Sequence, residues 1–288
     1  MSGNPIREAR PATSEPSPRP AADFDPDGIM AAAPPDQAEL SLSAASFDQP
    51  EYTGVVRPYV IATTQRTGST LLCHLLAGTG AMGVPTEYVK HPGAVPAMAA
   101  RLDAVAPDGS IRMSKYVRRL LAQRSTPNGV FGVKLHFHQL RTNADSIALR
   151  KLVGGAPHVW LRRHDLLAQA ISFAIARATM RFHEAEGSAR PVEAPPFDPL
   201  GVLLAIQAIA NQDMGWKIHF QANAIVPLEI FYEELVADPE WVCRRVCALM
   251  GIEPSAPISL DRVPLRRQRS AVYDEWRARF LEHVRVAS

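Results

Sequence analysis

Val60-Ile61-Ala62-Thr63-Thr64-Gln65-Arg66-Thr67-Gly68-Ser69-Thr70-Leu71-Leu72 is the stretch that decides the fold. A short apolar, β-prone run ends in a tight polar turn with one glycine. Ser69 and Thr70 follow, and an apolar helical pattern through Leu71, Leu72, Leu75 and Leu76 begins at once. This is a strand–loop–helix unit. The start of such a helix directs backbone N–H groups, two hydroxyls and the Arg66 guanidinium at one spot, an arrangement that binds phosphate or sulfate. The loop is not that of a nucleotide triphosphatase, which requires G-x-x-x-x-G-K-[ST] with lysine directly before the Ser/Thr. Here Gly68 directly precedes Ser69, the earlier glycine is missing, and Arg66 lies on the other side of Gly68. Taken alone, the segment reads equally as an anion site and as a strand-to-helix turn with an N-cap Ser or Thr.

Working outward, apolar β-prone runs at 59–63, 130–136, 158–161 and 228–231 predict strands. Helical periodicity predicts helices over 69–77, 144–153, 166–181, 201–222, 240–250 and 271–283. Alternation of this kind builds an α/β fold, with a central parallel sheet covered by helices on both faces. Ligands in such folds sit beyond the carboxyl ends of the strands. The chemically distinctive residues fall there: Arg66–Thr70 after the first strand, Lys134 and His136 closing the second, and Arg162, Arg163 and His164 closing the third. The segment 187–199, with Pro191, Pro195 and Pro196, reads as a loop.

The chain has 288 residues, 47% hydrophobic and 21% charged, enough to bury a sizeable core, most simply in one large domain. A net charge of +2 gives no sign of nonspecific nucleic-acid binding. Residues 1–50 hold nine of the 25 prolines and almost no apolar periodicity. Such a stretch does not repay the entropy of ordering, so the expected organisation is a flexible tail over 1–50 and one domain over 51–288. Cys73, Cys243 and Cys247 are widely spread and read as reduced core residues. No run approaches transmembrane length and the N-terminus lacks a signal-peptide core; the expectation is a cytoplasmic protein without membrane insertion.

Four further features carry candidate chemistry, each with a structural alternative. Arg162-Arg163-His164-Asp165 leads into a helix bearing Gln169 and Ser172, which suits a second phosphate; alone, the arginines equally pair with surface carboxylates. Glu87, in Gly83-Val84-Pro85-Thr86-Glu87-Tyr88, could accept a proton from a hydroxyl, or be an ordinary loop glutamate. Lys134 alternates with apolar neighbours in its strand, and an interior lysine is costly unless it is paired or meets an anion. His136 and His138 share a strand face in this reading, but no third ligand accompanies them, so no metal is expected. The cluster Arg266-Arg267-Gln268-Arg269 is either a solvated face or a lid over a polyanion.

Together these residues resemble the bacterial sulfotransferases related to trehalose 2-sulfotransferase, and more distantly the Nod-factor sulfotransferases. The matching stretches are 64–72, 83–87, 129–135 and Arg163-His164-Asp165-Leu166-Leu167-Ala168-Gln169-Ala170-Ile171-Ser172-Phe173. Gly215-Trp216, Tyr232-Glu233-Glu234-Leu235 and Arg267-Gln268 also match. The Q-R-[ST]-G-S-T loop followed by R-x-D-x(3)-Q-x(2)-S-F is specific only as a pair. The resemblance implies a three-layer, P-loop-like sulfotransferase fold. It also implies transfer of a sulfuryl group from 3′-phosphoadenosine 5′-phosphosulfate (PAPS) to a hydroxyl of a small-molecule acceptor, a carbohydrate, glycolipid or other natural product, without a metal. By matching position, Arg66, Thr67, Gly68, Ser69 and Thr70 would hold the 5′-phosphosulfate. Arg163 and Ser172 would hold the 3′-phosphate, Arg267 and Gln268 would close over the nucleotide, and Glu87 would be the general base. The resemblance also suggests a homodimer.

Two departures matter. The family's Arg-Pro-Asp is Arg163-His164-Asp165 here, and its Met-Trp after Lys134 is replaced by Leu135-His136. Lys-x-His at a strand end resembles the cytosolic phenol and steroid sulfotransferases, whose histidine is the base. Two candidate bases therefore coexist, and the family pattern favours Glu87. Arg66 and Lys134 are the cations that would offset charge on the departing oxygen. The rival activities are a nucleotide-dependent phosphotransferase, which lacks its lysine here, and a non-catalytic nucleotide-binding protein of the same fold.

Overall fold

The computed structural model describes residues 42–89, 94–143, 146–180, 194–254, 256–258, 260, 263 and 271–286. Among the described residues, β1 (Arg57–Thr63), β2 (Val130–His136), β3 (His158–Arg162) and β4 (Leu228–Phe231) form one sheet in the order β2-β1-β3-β4. All pairings are parallel, with Thr63 opposite both His136 and Leu161, so the strand ends are level where the site lies. These are the four strands expected from sequence.

The pleat sends alternate side chains to two separate cores. Val60 and Ala62 of β1 face one cluster with Phe131, Val133, Leu135 and Trp160. That layer is closed by α3 (Met113–Arg124), α5 (Ile147–Val153) and α7 (Pro199–Ala222), through Tyr116, Leu120, Leu152, Trp216 and Phe220. Tyr59 and Ile61 face the other cluster, closed by α1 (Ser69–Gly78) and α9 (Pro239–Leu249) through Leu72, Leu76, Val242 and Val246. A third cluster joins α6 (Leu166–Thr179) to α7 and α10 (Ala271–Val286) around Ile171, Ile209 and Trp276. The three-layer expectation holds. All three cysteines are buried and free, and no helix among the described residues is long and apolar enough to cross a membrane.

Four helices escape the sequence reading: α2 (Ala94–Arg101), α3, α4 (Phe137–Thr142) and α8 (Tyr232–Ala237). In α3 only Tyr116, Val117, Leu120 and Arg124 are buried, and lysine and arginine along the rest mask the stripe. α4 and α8 start directly from the last residues of β2 and β4, with no loop residue to announce a change. The helix expected over 144–153 starts at Ile147, where Ser146 caps it by accepting from Leu149 N–H at 3.3 Å. α7 begins at Pro199 rather than 201, because Asp198 caps it and proline suits the first helical position. His138 lies in α4 and not on the strand face with His136.

Residues 42–50 fall within the stretch that composition assigns to a tail, yet they pack on the domain. Leu42 is buried in the second core. The fully buried Arg124 donates to the carbonyls of Leu42, Ser43 and Ala44 at 2.8, 3.0 and 3.0 Å and meets Asp48 at 3.1 Å.

Burial holds the imidazoles of His74 and His158 down to about 4. Both therefore stay neutral in the fold at pH values where the unfolded chain, with histidines near 6.5, already binds protons. Stability should be level above pH 6.5 and decline as pH falls from there toward 4. Urea midpoints at pH 7.5 and 5.0 check this. The midpoint should drop at the lower pH, and less so in His158→Phe; equal midpoints would contradict the assignment.

Candidate active site

The loop between β1 and α1 is shaped by backbone that few residues accept. Arg66 has φ 64° and Gly68 has φ 78°, both left-handed. At Gly68 a Cβ would also lie 2.6 Å from the ring of Tyr232, so glycine is required twice over. No side chain caps the start of α1, and the first N–H groups of a helix have no intrahelical acceptor. Around this opening the loop is bolted down. Thr63 Oγ1 and Thr67 Oγ1 are 2.6 Å apart, and Gln169 Nε2 donates to Thr64 Oγ1 and to the Gln65 carbonyl at 2.8 and 2.6 Å.

A second group of residues arrives from β2. Gly83 has φ 65°, and a Cβ there would lie 2.8 Å from the Val130 carbonyl, so the chain presses backbone against β2 at this point. It then pairs with the strand: Thr86 bridges Val133, and Lys134 N–H donates to the Thr86 carbonyl at 3.0 Å. The next residue is Glu87. Its Oε1 is 2.9 Å from Lys134 Nζ and 3.6 Å from His136 Nε2, while Oε2 accepts from Gln139 Nε2 at 2.7 Å. Lys134 Nζ also reaches Thr70 Oγ1 at 3.4 Å, which joins this cluster to the loop between β1 and α1.

Burial works against the Lys134 ammonium, but the Glu87 carboxylate outweighs it and holds the lysine above its ordinary value, hence charged. For His136 burial wins over Glu87, and its imidazole is held below the usual range, hence neutral near pH 7. The cluster is thus a buried ion pair beside a neutral imidazole.

From β3, Arg163 Nη1 donates to the Arg66 carbonyl at 3.4 Å and its guanidinium lies 4.6 Å from the Tyr232 ring centre. Its Nε is buried without a hydrogen-bond partner, the Glu233 carboxylate standing 3.9 Å away. From α6, Ser172 Oγ accepts from Arg66 Nε at 2.9 Å. So Arg66, Thr67, Gly68, Ser69, Thr70, Glu87, Lys134, His136, Arg163 and Ser172 converge on the carboxyl ends of β1, β2 and β3. Arg267 and Gln268 lie outside the described residues. No group of three or more His, Cys, Asp or Glu placed to hold a metal occurs among the described residues.

With this geometry in hand, comparison with known proteins is decisive on the family. The model of the family described as "Stf0 sulphotransferase" matches residues 58–283. The chain belongs to the Stf0 sulphotransferase family. Trehalose 2-sulfotransferase of Mycobacterium tuberculosis (strain ATCC 35801 / TMC 107 / Erdman) is 29% identical over 260 residues, covering 78% of this chain and 94% of that protein. The enzyme of the same name from Mycolicibacterium smegmatis (strain ATCC 700084 / mc(2)155) is 25% identical over 257 residues, covering 77% and 93%. Among solved structures, the sulfotransferase domain of the Synechococcus PCC 7002 olefin synthase covers 80% of this chain and 91% of that one, at 17% identity and a TM-score of 0.44. The sulfotransferase domain from the curacin biosynthetic pathway covers 76% and 83%, at 16% identity and a TM-score of 0.42.

Within this candidate site, sequence reasoning named Gln169 and Tyr232 without their holding roles and missed Gln139 altogether. Gln139 grips Glu87, Gln169 grips the loop, and Tyr232 lies against both Gly68 and Arg163. Their signal was a buried polar side chain on a helix; Gln139 and Gln169 are 4% and 2% exposed.

Removing one partner of a buried ion pair costs more than removing both. Lys134→Met should therefore destabilise the protein by about 3 kcal/mol, whereas Lys134→Met with Glu87→Gln should recover much of that. Urea unfolding of the two single variants and the double variant measures the coupling; purely additive losses would mean the charges do not support each other.

Proposed function

We propose that this protein transfers a sulfuryl group from PAPS to a hydroxyl of a carbohydrate acceptor. The observation that carries the reading is the junction of the anion loop with the Glu87–Lys134 cluster, closed by the 3.4 Å contact of Lys134 Nζ with Thr70 Oγ1. A phosphosulfate in the loop would lie beside a charged ammonium, and an attacking hydroxyl beside a carboxylate. The residues fit such a donor: the buried Nε of Arg163 is a donor without a hydrogen-bond acceptor, as a bound phosphate would require.

In this reading Arg66 and the backbone N–H groups of Thr67–Thr70 hold the 5′-phosphosulfate, and Arg163 and Ser172 hold the 3′-phosphate. Arg267 and Gln268 cover the nucleotide. The acceptor oxygen attacks sulfur in line, and the bond from sulfur to the oxygen bridging to phosphorus breaks. Products are a sulfate monoester and adenosine 3′,5′-bisphosphate. Negative charge grows on the bridging oxygen, where Lys134 and Arg66 offset it.

Glu87 takes the acceptor's proton. At rest its carboxylate is tied to Lys134 and Gln139; as Lys134 turns toward the departing oxygen, Glu87 loses its countercharge and gains basicity. His136, neutral and 3.6 Å from Glu87 Oε1, is placed to pass the proton on. The carbohydrate acceptor is supported by the two relatives named for sulfation of trehalose.

Isothermal titration with adenosine 3′,5′-bisphosphate, ATP and adenosine 5′-phosphosulfate tests the donor. The bisphosphate should bind tightest, and Arg163→Ala should weaken it by about tenfold or more, as expected for loss of a charged hydrogen bond. Preference for ATP would replace the proposal with a phosphotransferase. Transfer of radiolabelled sulfate from PAPS across a panel of carbohydrates, trehalose first, tests the acceptor. Glu87→Gln should cut turnover by about 10²–10⁴-fold while bisphosphate binding persists; wild-type turnover in that variant would shift the base to His136.

A further inference from the structure

Gln212 sits on α7 with its side chain buried, 7% exposed, among apolar neighbours. Its Nε2 donates to Gln65 Oε1 at 2.8 Å, and its Oε1 lies 3.1 Å from His138 Nδ1. Gln65 directly precedes Arg66 in the anion loop, and His138 is in the first turn of α4, beyond the end of β2. One turn further along α7, Trp216 Nε1 donates to the Thr63 carbonyl at 2.9 Å and its ring meets Phe137 edge-on at 5.7 Å. α7 is therefore fixed against both the donor loop and α4, and Gln212 spans the two.

The chemistry of the carboxamide gives this link a direction. With its nitrogen donating to Gln65, Gln212 offers its oxygen to His138, and an oxygen only accepts. His138 Nδ1 must then carry the proton, which in a neutral imidazole leaves Nε2 bare. Among the described residues Nε2 of His138 has no hydrogen-bond partner, and the ring is half-buried. It stacks on His136, with centroids 5.6 Å apart and planes 12° from parallel. His136 contacts Glu87 through Nε2, and its own Nδ1 is buried without a partner. Beside the carboxylate, then, stands an imidazole pair: His136 Nδ1 is buried without a partner, and His138 Nε2, in a half-buried ring, is open to accept from a hydroxyl.

We propose that Gln212 is a positioning residue that holds His138 in the Nδ1-protonated form, so that Nε2 accepts a hydrogen bond from a hydroxyl of the carbohydrate acceptor. The proposal rests on the sulfuryl-transfer reading and deepens it, because the same carboxamide sets the acceptor-side imidazole relative to the donor loop.

¹⁵N-histidine NMR of the full chain at pH 7.5 reads the tautomer directly. In wild type His138 should show a protonated Nδ1 and a bare Nε2, and Gln212→Leu should lose that preference. A wild-type His138 protonated on Nε2 overturns the proposal. Kinetics with trehalose as probe acceptor supply the second arm. His138→Asn keeps a donor near the Nδ1 position and removes Nε2, so KM for trehalose should rise about tenfold, the weight of one hydrogen bond, with a smaller change in kcat. An unchanged KM overturns the contact with the acceptor. Titration of the wild type with adenosine 3′,5′-bisphosphate separates the two readings: no binding sinks the PAPS assignment, while binding together with the wrong tautomer sinks only the role of Gln212.

Discussion

Lys134 carries a full positive charge into a strand whose every residue is buried, and the surrounding structure is arranged to answer that charge. An ammonium in the interior survives only with a close, well-bonded anion. Glu87 supplies it, and it can do so because the chain at Gly83 runs backbone against backbone along β2 and pairs through Thr86. Gln139 then donates to the second oxygen of the carboxylate, and Thr70 brings the ammonium to the loop between β1 and α1. Losing Glu87 would leave the Lys134 ammonium without its close countercharge inside the protein. The same cost that makes the arrangement demanding also makes it well defined.

The sheet was readable in the sequence because its strands are nearly continuous apolar runs, such as Val130–His136 and His158–Arg162, with chemistry only at their ends. That pattern belongs to parallel strands covered on both faces. The loop between β1 and α1 was readable for a related reason: an abrupt change from period two to period 3.6 around one glycine leaves few alternatives. The short helices α4 and α8 were not, since strand and helix abut without a breaker between Leu135 and Gln139 or between Phe231 and Glu234. Nor did periodicity show that Glu87 would meet Lys134. That contact depends on a pairing between segments as distant as Thr86 and Val133, set by the backbone shape at Gly83, and local pattern carries no information on such register.

The helix layer on the α7 side has a double task. Trp216 and Phe220 fill the core beneath β1 and β3, and on the same helix Gln212 reaches both the loop that begins at Thr64 and the helix that follows β2. Packing and polar connection thus reinforce each other: the apolar contacts hold the helix at a fixed height, and the carboxamide depends on that height for its two bonds. A buried glutamine in so apolar a setting would be a liability if either partner were lost.

Arg66 occupies left-handed backbone without being glycine. For an L-residue with a side chain that conformation costs roughly 1–2 kcal/mol. A glycine there would relieve the strain and remove the guanidinium from Ser172. The loop therefore keeps the chain below the stability it could otherwise reach, in return for a cation at one spot. In lineages that no longer need a guanidinium here, this position should be among the first to relax, and such descendants would be sturdier proteins.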